Sequence, residues 1–445
     1  KGGMIKYYTT FASSQLGLRN ADIDSANLKN AFGLNNLNWY NNLSYRENLN
    51  NGWKMQLGLS YSTNVDKITN TIQNQQNQPV TTSVGYIDNK NFALKSTQDL
   101  SQVRAVFEKR IKGISAARFG AEYWYANNKT EFNNYTSVLK DHFQSVFAEA
   151  DIYVSNALAI KAGGRFEYSS ILKKSNIAPR ISLAYKAGNN AQMSLAYGEF
   201  YQKPENNQLV NNSTGKPLQI GYTKATHYLI NYIKTTSLQT FRVEAYYKKY
   251  NNLVKTFPDT STLGTGYAQG FELFWRDKKS IKNIDYWISY SYLDTKRDYQ
   301  NFPSQLQPTF ATPHTFNVVA KNFVTKWKTG FNATYTFATG RPYYNIAYSG
   351  SKYEIKDEGT TKSFHNLGIS LNYLPNLGKQ NAKTFIVLVA SVTNALNFNQ
   401  EYGYRYSYNG QNKVAVTPPA KQFFFIGCFL SWGVDKSQDA INNNL

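Results

Sequence analysis

The chain has one cysteine, Cys428, in 445 residues. That excludes an intramolecular disulfide framework and any zinc cage built on cysteines. It also lacks long apolar runs. The longest lie near Phe385–Val392 and Phe423–Leu430, well short of the ~18 residues that a membrane-spanning helix requires. Acidic residues are scarce, with Asp+Glu 28 against Lys+Arg 49, a formal net charge of +21. Helix-period patterns are nearly absent. The N-terminal stretch Met4-Ile-Lys-Tyr-Tyr has no apolar targeting segment, so either processing removed one or the chain begins partway through a longer protein.

What is abundant is aromatic. Tyr is 35, Phe 27 and Trp 7, which argues against a disordered basic chain. Mean hydropathy is nonetheless −0.53. A surplus of +21 raises nucleic acid as a partner. The basic residues, however, come as pairs such as Lys173-Lys174, Lys248-Lys249 and Lys278-Lys279 near apparent turns, not as a stripe on a helix. Solvated turn charge, or contact with anionic lipid or lipopolysaccharide phosphate, fits that spacing better, and no nucleic-acid partner is expected.

The dominant period is two. Leu158, Ile160, Ala162, Gly164, Phe166 and Tyr168 alternate with Ala159, Lys161, Gly163, Arg165, Glu167 and Ser169. The same alternation runs through Phe119–Tyr125, Phe241–Lys248 and Phe331–Ala338. One face is apolar and the other polar or charged, the mark of a half-buried strand. We count about 18 such segments, most about 10–17 residues long, against a usual strand of about 5–6 residues and a membrane-spanning strand of about 9–11.

The connections sort by length. Tight turns are expected at Asn50-Asn51-Gly52, Lys112-Gly113, Asn156-Ala157, Gly188-Asn189-Asn190, Thr235–Leu238 and Asp277–Lys282. Long connections are expected over Ser14–Leu34, Asp66–Thr97, Asn127–Leu139, Lys203–Tyr222, Asp294–Thr312, Gly340–Thr361 and Asn397–Ala420. Short turns on one side and long loops on the other mark an up-and-down outer-membrane barrel. The fold class expected is therefore all-β, a transmembrane antiparallel β-barrel. It occupies residues 1–435, followed by a polar C-terminal tail at 436–445. Lipid demands that a spanning sheet satisfy every backbone group and that its outer face be apolar. The inner face is free to be charged, and Tyr and Trp suit the two interfaces. By strand parity the C-terminus is periplasmic and the location is the bacterial outer membrane.

Catalytic patterns are missing. His142, His227, His314 and His365 lie in separate segments, without HExxH or other metal-ligand spacing. No G-x-S-x-G elbow or P-loop occurs, and Asp141-His142 has no nucleophile set against it. No enzyme activity, catalytic residue, metal site or cofactor is expected.

Several stretches resemble the barrel of a TonB-dependent receptor of the Bacteroidetes type. Phe147–Tyr168, FAEADIYVSNALAIKAGGRFEY, is similar to a mid-barrel hairpin ending in Gly-Gly-Arg. It runs into Ala178-Pro179-Arg180-Ile181-Ser182-Leu183-Ala184-Tyr185, similar to the family's "spR-aYk" strand. Tyr197–Asn206 resembles its "yG-fyq-Pe" strand end, Ala338–Tyr343 its "G-rPy" strand end, and Val392–Asn397 its "v-NlfN" segment. The resemblance implies a barrel of about 22 strands around an N-terminal plug. A plug and about four first strands are accordingly expected ahead of Lys1. It further implies energised uptake of a scarce or bulky nutrient, such as a siderophore, oligosaccharide or peptide. The drive is the inner-membrane proton-motive force, delivered by the TonB–ExbB–ExbD system through the plug. Alternatives are a passive 18-stranded porin, or a barrel subunit of a larger assembly whose loops dock a surface lipoprotein. Lipopolysaccharide and outer-membrane lipids are expected partners. Arg165 and Arg180 are expected to face the lumen and the plug. Tyr201, Gln202, Arg341, Tyr343 and Tyr344 lie in strand-end motifs within reach of substrate.

Overall fold

The structure is a computed structural model and describes residues 2–80, 85–111, 113–210, 218–257, 259–350, 352–379 and 384–433. Lys112 of one expected turn and the tail at 436–445 lie outside the described residues. The first strands are β1 (Met4–Ala21), β2 (Lys29–Asn48), β3 (Trp53–Gln73), β4 (Phe92–Arg110), β5 (Ala116–Phe132), β6 (Tyr135–Tyr153), β7 (Leu158–Ser169) and β8 (Lys174–Lys186). Then come β9 (Ala191–Gln202), β10 (Thr223–Thr235), β11 (Gln239–Lys255), β12 (Ser261–Asp277), β13 (Ile284–Asp298), β14 (His314–Val324) and β15 (Thr329–Ala338). The last are β16 (Pro342–Ser349), β17 (Lys352–Thr360), β18 (Phe364–Tyr373), β19 (Thr384–Thr393), β20 (Gly403–Tyr406), β21 (Lys413–Val416) and β22 (Phe423–Trp432).

Eighteen of them form one antiparallel sheet. Each strand from β1 to β14 pairs with its successor, then β15 with β18, β18 with β19, and β19 with β22. The remaining four make two separate hairpins, β16–β17 and β20–β21, inside long loops. The register keeps like with like. Phe166 lies opposite Val146 and Ile177, while Lys161 lies opposite Asp151 and Ser182. A slip of one residue would exchange the two faces, so alternation and register enforce each other. The expectation of an all-β barrel of about 18 visible strands matches this sheet.

The connections fall on two sides. The turn side holds 49–52, 111–115, 154–157, 187–190, 236–238, 278–283, 325–328 and 374–383. The loop side holds 74–91, 203–222, 299–313, 339–363 and 394–422, together with the shorter 22–28, 133–134, 170–173 and 256–260. At Asn51 and Gly52 φ is 56° and 75°, left-handed values that Asn and Gly tolerate best. Two expected loops turn out to be mostly strand. β1 and β2 run through Ser14–Leu34 except for 22–28, and β5 and β6 run through Asn127–Leu139 to a turn at 133–134. In β5, Asn127, Asn128, Lys129, Thr130 and Glu131 put polar residues on both faces, so the hydrophobic alternation fades while the ladder continues. Toward the tip of β1–β2 side-chain amides take over, as where Asn30 donates to Asp22 at 2.6 Å and accepts from Asn70 at 3.3 Å. Lys248 and Lys249 are likewise inside β11, on opposite faces, and not at a turn.

Among the described residues, β1 and β22 each pair on one edge only. Nearly all their residues are exposed, from Ile5, Tyr7 and Phe11 on β1 to Phe424, Ile426 and Trp432 on β22. The loops beyond them meet. The Tyr408 backbone N–H donates to Asp24 Oδ1 at 2.5 Å, and Asn412 Nδ2 donates to the Ile23 carbonyl at 3.0 Å. The sheet therefore curls until its first and last connections touch on the loop side. Among the described residues, buried apolar side chains form two small clusters. One surrounds Leu139, Leu172 and Leu209 on the loop side, and the other joins Phe323, Leu374, Leu377 and Phe385 on the turn side.

Candidate functional site

The polar face of β3–β7 carries two networks of ion pairs. Register places Glu108 opposite both Lys54 and Arg118, Arg104 opposite Glu122, and Asp151 opposite Lys161. Lys54 meets Glu108 at 2.9 Å, and Arg118 bridges Glu108 at 2.6 Å, Asp151 at 2.8 Å and Glu149 at 3.2 Å. Arg165 joins Glu122 at 2.8 Å to Glu167 at 2.6 Å, and Arg104 reaches Glu122 at 2.9 Å. Paired charge of this kind, with remaining lone pairs satisfied, is what a partly dehydrated wall can hold.

Arg180 differs. Among the described residues it has no carboxylate partner, and its guanidinium lies 4.6 Å from the Phe200 ring centroid. It opens onto a cavity of about 450 Å³ that Arg104, Phe147, Lys161, Arg165 and His227 also line. Two glycines keep the wall close-packed there. A Cβ on Gly163 would sit 2.7 Å from Glu149 Cβ, and one on Gly198 would sit 3.1 Å from the Phe200 ring. Arg165 and Arg180 thus share one face and one cavity, with Arg165 saturated by carboxylates and Arg180 held by an aromatic ring.

At the loop side, Tyr201 and Gln202 end β9 as adjacent residues and so point to opposite faces. The Tyr201 hydroxyl donates to Glu199 at 3.2 Å, beside Lys224, which bridges Glu199 at 2.8 Å. Asp141 anchors the neighbouring loop. It accepts from Ser169 Oγ at 2.9 Å, the Ile171 N–H at 3.2 Å and Lys203 Nζ at 2.9 Å. His142 faces the other way, its Nδ1 2.7 Å from the Tyr123 hydroxyl. The adjacent Asp and His therefore cannot act as a pair.

Arg341, Tyr343 and Tyr344 begin the β16–β17 hairpin and are engaged within the protein. Lys413 Nζ donates to the Tyr343 hydroxyl at 2.8 Å and to Asp357 at 2.8 Å, 4.1 Å from the Tyr343 ring centroid and 4.6 Å from that of Tyr404. The hydrogen bonds from Lys413 and Tyr406 hold the Asp357 carboxyl below its ordinary range, and Asp357 in turn raises the Lys413 ammonium. Burial, then the bond to Asp357, pushes the Tyr406 hydroxyl up to about 12. Tyr344 donates to the Gln307 carbonyl at 3.1 Å, and Arg341 lies 6.0 Å from the Tyr402 ring. Lys413 thus clamps β16–β17 to β20–β21. The seven candidate residues fall into three separate groups: Arg165 with Arg180, Tyr201 with Gln202, and Arg341 with Tyr343 and Tyr344. No hydrogen bond, ion pair or ring contact among the described residues joins one group to another.

Two features escaped sequence reasoning. The first is the Lys413 clamp. The alternating Tyr402, Tyr404, Tyr406 and Tyr408 was its available signal. The second is a loop-side cavity of about 640 Å³ between Lys255, Phe257, Phe302, Lys352 and Tyr353. Its rings come from three different connections, so no local pattern announces it.

The family model described as TonB dependent receptor-like, beta-barrel, matches residues 5–395. No curated protein matches the sequence. Among solved structures, the outer-membrane transporter YddB from Escherichia coli superimposes with a TM-score of 0.65 at 11% identity, over 95% of this chain and 69% of that one. The ferric enterobactin receptor PfeA from Pseudomonas aeruginosa gives 0.70 at 11%, over 96% and 70%. The ferripyoverdine receptor of the same organism gives 0.65 at 9%, over 96% of this chain and 65%, less than two thirds, of its own. At these identities the likeness is one of fold.

Proposed function

Since the chain belongs to the TonB-dependent receptor-like β-barrel family, a family of outer-membrane transport receptors, we propose that it forms the barrel wall of an energised importer. The loop side faces the exterior, and the turn side and the C-terminus face the periplasm. The nutrient is scarce or bulky, and a siderophore, an oligosaccharide or a peptide fits the reading equally. The observation that carries it is the width of the wall together with its unpaired edges. Eighteen strands already enclose a lumen wide enough for an aqueous channel, and lipid cannot satisfy the free edges of β1 and β22. Further strands close the seam and a plug fills the lumen.

The inner side of β22 supports the plug. Phe423, Phe425 and Phe429 lie on the face opposite Ile426 and Leu430 and are exposed, an apolar lining that a folded domain would cover. Arg180, a cation of this wall with no carboxylate partner among the described residues, is the natural contact for a plug carboxylate, with Arg165 as its neighbour. Energy reaches the plug from TonB–ExbB–ExbD, and no covalent chemistry is asked of the wall. Gln202 and the ring-lined loop cavity meet substrate. Arg341, Tyr343 and Tyr344 shape the hairpins that border it. Lipopolysaccharide and other lipids surround the barrel, and a surface lipoprotein on the loops fits the same architecture.

Uptake measured with and without TonB tests the reading. The full-length protein should be nearly non-conducting in a planar bilayer, and its nutrient uptake should vanish when TonB is deleted. Ohmic conductance with TonB-independent uptake would establish a porin instead.

A further inference from the structure

The apolar face of β3–β6 is stratified. Across the four strands, register aligns Leu57, Ala105, Ala121 and Val146 in one row. Nearer the loop side, another row aligns Tyr61, Ser101, Tyr125 and His142. Beyond it the same face turns basic. Lys140 stands in the next row with Asp99, Lys129 in the one after, and Lys67, Lys95 and Glu131 in the third. An apolar band, an aromatic belt and then lysines is the order in which a barrel wall leaves the acyl region and enters the headgroups.

The lysines outnumber their acids. Glu131 is shared by Lys95, at 3.6 Å, and Lys129. Among the described residues Asp99 accepts from the Tyr61 hydroxyl alone, at 3.5 Å. Among the described residues Lys67 and Lys140 form no ion pair. Lys67 also stands directly opposite Lys95, a cross-strand pairing of like charges that is unfavourable unless an anion lies between them. Below the aromatic belt, the row Tyr7, Leu43, Leu59, Val103 and Tyr123 borders a shallow groove of about 360 Å³ on the same face. An anion site thus sits one belt above an apolar groove.

We propose that this face binds a phosphorylated glycolipid of the surrounding leaflet. Its phosphates lie on Lys67, Lys95 and Lys140, and one acyl chain lies in the groove bordered by Leu43, Leu59 and Val103. A free phosphate ion would use only the lysines, so the groove commits the site to lipid. The proposal rests on the reading that the loop side faces outward, where the leaflet is rich in such lipids.

The test uses the full-length protein, purified from its membrane in detergent and stripped of lipid. It is titrated with bisphosphorylated lipid A, dephosphorylated lipid A and inorganic phosphate, with bound lipid counted by native mass spectrometry. Bisphosphorylated lipid A should bind about ten-fold tighter than the dephosphorylated form, and K67Q/K95Q/K140Q should lose about ten-fold. The corresponding triple arginine variant should retain binding. Equal binding by the glutamine variant, no preference for phosphate on the lipid, or inorganic phosphate competing at millimolar concentration would each overturn the proposal. Orientation is read separately, by labelling Asn133→Cys in a Cys428→Ser background with an impermeant maleimide on intact cells. No labelling there would overturn the outward reading, while the lipid titration still judges the lysine face.

Discussion

The wall from β4 to β7 and the wall formed by β14, β15, β18, β19 and β22 solve one problem in two ways. Both must present a polar face within a sheet whose other face meets lipid. The first uses charge: Arg104, Glu108, Arg118, Glu122, Glu149, Asp151, Lys161, Arg165 and Glu167 interlock across strands. The second holds a single Lys, Lys321, and no Asp, Glu or Arg. Its polar face is built of amides and hydroxyls, as where Asn332 donates to Ser370 at 3.2 Å and Asn317 to Ser289 at 3.4 Å. By β22 that face is phenylalanine. Interlocked charges are rigid and costly to break singly, whereas neutral pairs are replaceable. The sheet therefore grades from a wall that fixes side chains in place to one that only has to be covered.

Breaking the charged wall should cost most. Arg165→Ala leaves Glu167 without its cation and Glu122 with Arg104 alone, and side-chain exposures of 14% and 9% give water little access to either. A loss of about 4 kcal/mol is expected, read from denaturant unfolding of the folded barrel in liposomes. If Arg165→Ala unfolds like the parent, the ladder is decorative and the contrast fails. The next effect sharpens the same contrast on the neutral wall. Ile369→Arg, on the apolar face, should cost about 3 kcal/mol. Ser370→Arg, its neighbour on the polar face, should cost under about 1 kcal/mol. Equal penalties would mean that β18 meets lipid on neither face, or on both. Third, Asn332→Ala should cost about 1 kcal/mol, measured in the same unfolding series. A loss approaching that of Arg165→Ala would erase the distinction between the walls.

What was legible in the sequence follows the same gradient. Strand existence, the face of each residue and the two-sided arrangement of connections all derive from period-two alternation, which lipid on one face imposes on every spanning segment. Arg165 and Arg180 could be placed on one face by counting. Loop-side structure was harder to read, because the strand ends beyond the lipid lose the alternation. Asn20, Asn30 and Asn128 continue a ladder that looks like loop. Contacts between distant connections were invisible. Lys413 meets Asp357 and Tyr343 only because two hairpins pack side by side, and no spacing within either announces the other. Tyr201 and Gln202 illustrate a subtler limit. A motif placed them together, but adjacency in a strand sends them to opposite faces.

The smallest expected effect concerns the ties made by the first connection, 22–28, where a charged tie to Lys90 of 74–91 and a neutral one to Asn412 of the last connection lie side by side. Lys90 Nζ bonds Asp22 at 2.6 Å and Asp24 at 2.5 Å, while Asn412 Nδ2 bonds the Ile23 carbonyl at 3.0 Å. Burial alone would raise the Asp22 carboxyl, but the bonds from Lys90, Asn30 and the Asp24 N–H outweigh it and hold it below its ordinary 3.8. Burial likewise works against the Lys90 charge, yet its two carboxylates raise it above the ordinary 10.5. A depressed carboxyl contributes stability above its unfolded value and loses it as pH falls through the folded one. A raised ammonium contributes stability below its unfolded value and loses it as pH rises through the folded one. The charged tie should therefore be constant across neutral pH, weaken below pH 3.8 and weaken again above pH 10.5. A double-mutant cycle of Asp22→Asn with Lys90→Met should give a coupling of about 1 kcal/mol at neutral pH, declining as pH falls below 3.8. The effect of Asn412→Ala should stay level over the same range, because neither of its partners titrates. A coupling for Asp22 and Lys90 that ignores pH would show that shape, not charge, makes this tie, and would bring it into line with the neutral wall.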